Sequence, residues 1–451
     1  MSIKSLTPLE GRYGAITAPL GDFFSEWALI KYRIHVEVEW LIAMASNSSF
    51  PEIRSFTTEE ITFLRNIVAN FDDTAAARIK EIERTTNHDV KAVEYFLRET
   101  LGAMSLADIL EFIHFSCTSE DINNLSYALM LKDGIEKVWL PAAENLTTIV
   151  AEMAEADKNV PMLAHTHGQA ASPTTVGKEL AVFVYRWQRQ LKQIRLQEYL
   201  GKFNGAVGNF NAHSIAYPEA DWEAVSRDFV EGLGLTYNPL TTQIESHDYV
   251  AEVFHAMTRF NNILLDFDRD MWLYISMGYF KQKAIAGEVG SSTMPHKVNP
   301  IDFENSEANL GLSNAVLDHL ANKLPISRLQ RDLSDSSAQR NIGTGIAHSH
   351  LAITYTLKGL KKTVINEDAL SEHLTHAWEV LAEAVQTVMR KHGHANSYDK
   401  LKAITRGKGI SEEDIKAFIA SVDLPEADKK RLLALTPSEY IGIGPALLKH
   451  I

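Results

Sequence analysis

The chain has 451 residues, a formal net charge of −14, a hydrophobic share of 45% and one cysteine, Cys117. That length suits about two to four domains or one large elongated assembly, and the acidic balance disfavours a nucleic-acid surface, which needs a basic footprint. A lone cysteine excludes an intramolecular disulfide and fits a reducing cytosol, no run is long enough for a membrane span, and Met1-Ser2-Ile3-Lys4 has no apolar export core.

Helical periodicity runs through nearly the whole chain. Thr57-Thr58-Glu59-Glu60 reads as a capping box opening a short helix. Thr85-Thr86-Asn87-His88-Asp89 precedes Val90, Val93, Tyr95 and Leu97, which places it at a helix entrance where free N–H groups favour anions. The bland alternative there makes Thr86 or Asn87 the cap and His88 a surface residue. Thr118-Ser119-Glu120-Asp121 is another helix start, with simple capping the stronger alternative. Thr166-His167-Gly168-Gln169 sets a histidine in a loop before a long seam of Val176, Leu180, Val184, Trp187, Leu191 and Ile194. Histidine can donate a proton near neutral pH, although an isolated histidine is more often structural.

A second seam, Val250, Val253, Met257, Phe260, Leu264, Phe267, Met271 and Tyr274, alternates steps of three and four, with Asp248 as its expected N-cap. A third long helix is expected from about Asp302, after Pro300. Arg328, Arg331 and Arg340 then fall among Ser, Asp and Gln residues, a pattern more suggestive than the solvated group Lys402, Arg406 and Lys408 near Gly407 and Gly409. After Asn366 a helical pattern runs to about Lys391 and Gly393 breaks it. Ser411-Glu412-Glu413-Asp414 and Thr436-Pro437 with Glu439 open shorter helices. Strand-like alternation is scarce. The expected architecture is all-α, with an N-terminal helical domain 1–107, a central long-helix bundle 108–362 and a small C-terminal helical domain 363–451. The pairs His165/His167 and His348/His350 lack the spacing of metal ligands.

The most informative segment is Gly290-Ser291-Ser292-Thr293-Met294-Pro295-His296-Lys297-Val298-Asn299-Pro300. Its glycine and prolines predict a loop whose backbone can approach a ligand closely. Ser291 is a weak base unless N–H groups and a cation stabilise its alkoxide, and this Gly-Ser-Ser turn with Lys297 nearby can supply both. Such a serine can take a proton from carbon next to a carboxylate. The alternative is a Ser-rich surface loop.

These segments resemble the fumarase/aspartase superfamily and, within it, the bacterial branch of the adenylosuccinate lyase family. Residues 290–300 match the superfamily pattern GSSxMPxKxNP throughout, and His296 in the variable slot resembles that branch. Gly11-Arg12-Tyr13, residues 85–97, 118–124, 166–169 and 330–341 match in the same order. Ala170 stands where relatives often carry proline, and the segment from about Gly442 matches least.

The resemblance implies a carbon–nitrogen lyase, β-eliminating fumarate from adenylosuccinate to give AMP and from the succinyl-carboxamide intermediate of purine synthesis. It implies Ser291 as general base and His167 as general acid, with Lys297 and Asn299 stabilising the aci-carboxylate. It further implies Arg12, Tyr13, Arg331, Ser336 and Arg340 at the phosphate and ribose end. Thr118, Ser119, Ser292, Lys297 and Asn299, with the adjoining Val298, would hold the succinyl end. Asn87, His88 and Asp89 would orient the reacting part, with Gln243 and Asn305 completing the pocket. It implies no metal or organic cofactor, no nucleic-acid or membrane partner, a cytoplasmic location, and a homotetramer with a twenty-helix core and sites shared between subunits. Argininosuccinate lyase, a non-enzymatic protein on the same fold and a helical nucleic-acid binder are the alternatives.

Overall fold

The computed structural model describes residues 3–283, 294, 298–405 and 410–451. Helices α1 to α5 are Gly14–Phe24, Glu26–Ala45, Thr58–Ala69, Asp73–Thr86 and Asp89–Gly102. Helices α6 to α10 are Ser119–Gly134, Leu140–Ala156, Val176–Arg195, Asn211–Ala216 and Trp222–Gly232. Then come α11 Asp248–Ser276, α12 Ile301–Lys323, α13 Ser334–Gln339, α14 Ile342–Lys362, α15 Glu367–Thr375 and α16 Ala382–Lys391. Helices α17 Ser397–Thr405, α18 Glu412–Ser421 and α19 Glu426–Ala434 complete the series. Four two-stranded pairs interrupt them: β1 Pro161–Met162 with β4 Thr174–Thr175, β2 His165–Thr166 with β3 Gln169–Ala170, β5 Leu200–Gly201 with β6 Thr236–Tyr237, and β7 Phe280–Gln282 with β8 Thr363–Ile365. The described fold is thus predominantly helical, as expected.

Two compact units divide the chain. One comprises residues 1–143, 190–262 and 308–354; the other comprises 144–189, 263–307 and 355–451.

The seams read from the sequence are core. Val176, Leu180, Val184, Trp187, Leu191 and Ile194 are all buried, as are Val250 to Met271 of the second seam, with Tyr274 half-buried at its end. Each fully buried Leu, Val or Phe contributes roughly 1.5–3 kcal/mol over its exposed state, which is why a 29-residue helix such as α11 persists. Polar groups fix the phase of the helices within each unit. In the first, Trp139 Nε1 donates to Ser349 Oγ at 2.8 Å, Ser349 donates to Asn261 Oδ1 at 2.7 Å, and Asn261 donates to Ser313 Oγ at 3.1 Å. In the second, the Thr356 hydroxyl lies 2.8 Å from Asp268 Oδ1 and 2.9 Å from Ser306 Oγ, and burial pushes the Asp268 carboxyl well above the usual range.

The junction between α6 and α7 has an unusual form. Ile135–Trp139 winds as a π-helix, so the chain passes from one α-helix to the next without a turn.

Local details correct three sequence expectations. Asp248 is the first residue of α11, not its cap; His247, at φ 63°, precedes it and its carbonyl accepts from Val250 and Ala251. Residues 85 and 86 still belong to α4, Asn87 closes that helix in the left-handed region at φ 50°, and His88 is the cap of α5. The pattern from Asn366 to Lys391 is not one helix: α15 stops at Thr375, and a 3₁₀ turn at Trp378–Leu381 precedes α16. Ala377, Val380 and Leu381 there join the buried C-terminal cluster with Leu374, Val385, Met389, Ile415 and Ile419. Packing of that cluster outweighs the continuous helical pattern. The capping boxes at Thr57/Glu60 and Ser411/Asp414 form as read, and the start read at Thr436 is a further box, with Glu439, that opens a 3₁₀ turn at Pro437–Glu439.

Candidate active site

The start of α6 is built on a buried ion pair. Lys202 Nζ lies 2.8 Å from Asp121 Oδ1, and both side chains are 0% exposed. Asp121 also accepts from the backbone N–H groups of Thr118 at 2.8 Å, Asn204 at 3.0 Å and Gly205 at 3.2 Å. One carboxylate therefore fixes the entry of α6 against residues 202–205, and with it the half-buried Thr118 and Ser119. The helix start fixed in this way is closed by the Thr118/Asp121 capping box and sets two hydroxyls that can donate to a carboxylate.

Asp89 ties two distant arginines together. Arg33 reaches it at 2.7 Å and Arg340 at 3.1 Å. Burial would raise the Asp89 carboxyl, but Arg33 and Arg340, with the Val90 N–H, outweigh it and hold it below the usual range. His88 is exposed and its Nδ1 accepts from the Lys91 N–H at 3.1 Å, so the imidazole is oriented as a cap. Asn87 beside it is exposed. Arg12 is exposed and lies over the half-buried Tyr13 ring at 5.8 Å, just before α1.

Arg331 has the densest surroundings. Its NH2 lies 3.1 Å from Glu120 Oε2, its NH1 donates to Gln243 Oε1 at 3.2 Å, and its Nε lies 3.7 Å from Asp335 Oδ2. Gln243 in turn donates to the Ala206 carbonyl at 2.9 Å. Burial pushes the Glu120 carboxyl up to about 7; Arg331 opposes the rise and Asp335 adds to it. His247 is buried, which lowers its pKa to about 4, and its Nε2 lies 2.6 Å from Gln339 Nε2. Glu120, His247 and Asp335 bring potential ligand atoms within 4.8 Å of one another. Arg331 already supplies positive charge to both carboxylates, so a dication would have to displace a guanidinium. Ser336, half-buried on α13, follows Asp335, whose Oδ1 accepts its N–H at 2.6 Å.

In the second unit, His167 occupies the tip of the β2–β3 hairpin. His165 pairs with Ala170 and Thr166 with Gln169, leaving His167 and Gly168 as the two-residue turn. Both have positive φ, 53° and 71°, the backbone that matches the twist of a tight hairpin. The imidazole is exposed, while Leu163 before the hairpin is buried in the C-terminal cluster. His165 lies 6.3 Å from the Tyr279 ring, and the Tyr279 hydroxyl is 3.0 Å from His373 Nδ1. The loop expected at 166–169 is thus the turn of a short hairpin, paired at His165–Ala170 and Thr166–Gln169. Val298 is exposed, Asn299 is half-buried and Asn305 is half-buried on α12. Ser291, Ser292 and Lys297 lie outside the described residues.

Within the first unit the structure brings Asp89 to Arg340 and Gln243 to Arg331, joining four expected site residues in pairs. Glu120, Asp121, Lys202, His247 and Asp335 were not singled out as site residues from the sequence. Their signal was weak: an acidic helix start reads as solvated capping, yet Glu120 and Asp121 are 1% and 0% exposed.

Comparison with known proteins defines the class first. Residues 11–316 match a family described as Lyase, and residues 327–441 match one described as Adenylosuccinate lyase C-terminal. Among solved structures, a 3-carboxy-cis,cis-muconate lactonizing enzyme from Pseudomonas putida superposes with a TM-score of 0.77 at 20% identity, over 98% of this chain and 97% of that one. A fumarate lyase from Mesorhizobium sp. BNC1 gives 0.76 at 18%, over 96% of each. These likenesses establish the fold, and with the first family match they make the chain an enzyme of the lyase class.

Curated relatives narrow it. The adenylosuccinate lyase of Vibrio cholerae is 56% identical over 98% of this chain and 97% of its own length. Those of Escherichia coli K12 and Haemophilus influenzae are 55% and 54% identical, covering 98% and 100% of this chain and 97% and 99% of theirs. The chain belongs to the adenylosuccinate lyase family of the fumarase/aspartase superfamily. Among the described residues, no helix is long and apolar enough to cross a membrane.

Proposed function

We propose that this chain eliminates fumarate from adenylosuccinate, leaving AMP, and from the succinylated aminoimidazole carboxamide ribotide of purine synthesis. The observation that carries this reading is identity above half with adenylosuccinate lyases along nearly the full length, with Ser291, His296, Lys297 and Asn299 all in place in residues 290–300.

In this reading Ser291 takes a proton from the β-carbon of the succinyl group. The electron pair moves into the adjacent carboxylate as an aci-carboxylate, which Lys297 and Asn299 stabilise by charge and hydrogen bonding. The carbon–nitrogen bond then breaks and His167 gives its proton to the departing nitrogen, which would otherwise leave as a poor anion. Thr118, Ser119, Ser292 and the Val298–Asn299 backbone hold the succinyl carboxylates. Arg12, Tyr13, Arg331, Ser336 and Arg340 hold phosphate and ribose, where guanidinium forks suit phosphate oxygens. Asn87, His88 and Asp89 orient the reacting part, and Gln243 and Asn305 close the pocket.

The working form in this reading is a cytoplasmic homotetramer, with segments of domains 1–107, 108–362 and 363–451 meeting between subunits. Support comes from apolar side chains left exposed on the long helices, including Val182, Tyr185, Trp272, Leu273 and Leu312. The direct test incubates purified protein with adenylosuccinate and follows AMP and fumarate. Equimolar release of both is expected. No turnover of adenylosuccinate alongside turnover of argininosuccinate would reverse the assignment.

A further inference from the structure

We infer that Glu120 and Asp335 form a carboxylate clamp that positions the Arg331 guanidinium for the substrate's phosphate. The inference rests on reading Arg331 as a phosphate-binding group, and goes beyond it in assigning the groups that set its orientation.

The geometry is that of a fork flanked by charge along its buried edge, with the Asp335 contact an ion pair longer than a hydrogen bond. Glu120 Oε2 sits 3.1 Å from one terminal nitrogen, Asp335 Oδ2 lies 3.7 Å from Nε, and Gln243 Oε1 accepts from the other terminal nitrogen at 3.2 Å. Glu120 and Asp335 are 1% and 2% exposed, whereas the Arg331 side chain keeps 16%. Each terminal nitrogen carries two hydrogens, so the contacts to Glu120 and Gln243 leave one N–H on each for an incoming oxyanion. A guanidinium already fixed with a donor left on each terminal nitrogen meets a phosphate without first losing rotamer freedom.

The clamp also joins two elements. Glu120 lies in the first turn of α6, directly after Thr118 and Ser119, while Asp335 lies in α13 with Ser336. Arg331 bridges them, so the groups assigned to the succinyl end and those assigned to the phosphate end share one rigid connection. His247 and Gln339 stand behind it: the His247 backbone N–H donates to Glu245 Oε2 at 2.7 Å, and its Nε2 lies 2.6 Å from Gln339 Nε2.

Neither carboxyl touches the substrate in this assignment, so both are positioning residues. Glu120→Gln keeps the shape and removes the ionisable carboxyl, and because burial pushes that carboxyl up to about 7 the comparison is made at about pH 8, where it is charged. It should raise KM for adenylosuccinate and the Kd of AMP by about tenfold, as expected when a neutral amide oxygen replaces a charged partner of the guanidinium, while kcat at saturation stays within about threefold. The Kd of adenosine, which has no phosphate, should stay unchanged. Arg331→Lys should weaken AMP more, and Glu120→Gln added to it should cost little further, because the clamp acts through the arginine. If Arg331→Lys leaves AMP binding untouched, the phosphate role of Arg331 fails. If Arg331→Lys weakens AMP but Glu120→Gln does not, the clamp alone fails. Equal losses for AMP and adenosine would also overturn it, since they would mark a general structural defect. Should Glu120→Gln not fold, Asp335→Asn loosens the same guanidinium from its other side and carries the same outcomes.

Discussion

Replacing Asp121 by asparagine isolates the interaction on which the entry of α6 rests. Lys202 Nζ has two contacts within hydrogen-bond reach, Asp121 Oδ1 at 2.8 Å and the Gly205 carbonyl at 2.9 Å, and its side chain is fully buried. Asp121→Asn leaves that ammonium with neutral acceptors only and turns an amide NH2 toward an N–H of Thr118, Asn204 or Gly205, or toward the ammonium itself. Removing one partner of a buried pair costs about 3–5 kcal/mol, most of it the uncompensated charge. Lys202→Met should cost less, about 2 kcal/mol, because three backbone N–H groups still solvate the Asp121 carboxylate. In the double variant no charge is left unpaired, so its cost should fall below the sum of the singles by at least about 2 kcal/mol. Urea unfolding followed by circular dichroism, at one fixed protein concentration because assembly contributes to stability, measures all three. An Asp121→Asn variant within about 1 kcal/mol of wild type, or strictly additive single effects, would refute the reasoning.

Three further outcomes are expected. Ser291→Ala should abolish turnover while retaining substrate binding, whereas Ser292→Ala should retain measurable kcat with the loss in KM; steady-state kinetics and equilibrium binding separate the two. Inactive Ser291→Ala and His167→Ala subunits, dissociated and reassembled together, should regain activity at roughly a quarter of sites if the two residues come from different subunits of a symmetric tetramer. Persistent inactivity with mixed tetramers confirmed by native mass spectrometry would sink the shared site. Two buried histidines should each add a loss of stability with acid, against the opposite contribution of raised carboxyls such as Glu120 and Asp268: burial lowers His213 and His247 to about 4, so the unfolded chain binds protons there that the folded chain refuses as pH drops from about 6.5 toward 4. His213→Leu should remove about one proton from that slope, and urea midpoints at pH 7, 6 and 5 that fall in parallel for variant and wild type would contradict it.

What the sequence made legible was whatever repeats along a single element. The seams ending at Ile194 and Tyr274 are core because apolar residues three and four apart share a helix face whatever surrounds them. The two flanking capping boxes, at Thr57 and Ser411, are equally local. Elements set by distant partners were not legible. Glu120 and Asp121 look like a solvated acidic helix start until residues 202–205 and Arg331 fold over them. The hairpin at 165–170 has two-residue strands, too short to show alternation, and its turn is set by backbone angles at His167 and Gly168. Asp248 looked like a cap by residue type, but His247 takes that place, its left-handed backbone bringing the carbonyl under the first turn. Much of the candidate site could be named residue by residue because its motifs are contiguous. The groups that orient those residues are scattered along the chain and become neighbours only on folding.

The π-helix at Ile135–Trp139 bears on how this chain tolerates changes in length. Deleting a residue from an ordinary α-helix turns everything beyond the cut by about 100°, carrying buried side chains out to solvent. A wide turn already accommodates roughly one residue more than α-helical winding needs. Loss of one residue there can be absorbed by tightening to α-helix, leaving the buried faces of α6 and α7 in phase. A stretch that looks like uninterrupted helix is therefore a place in this core where the loss of one residue is cheap, even though no loop joins the two helices.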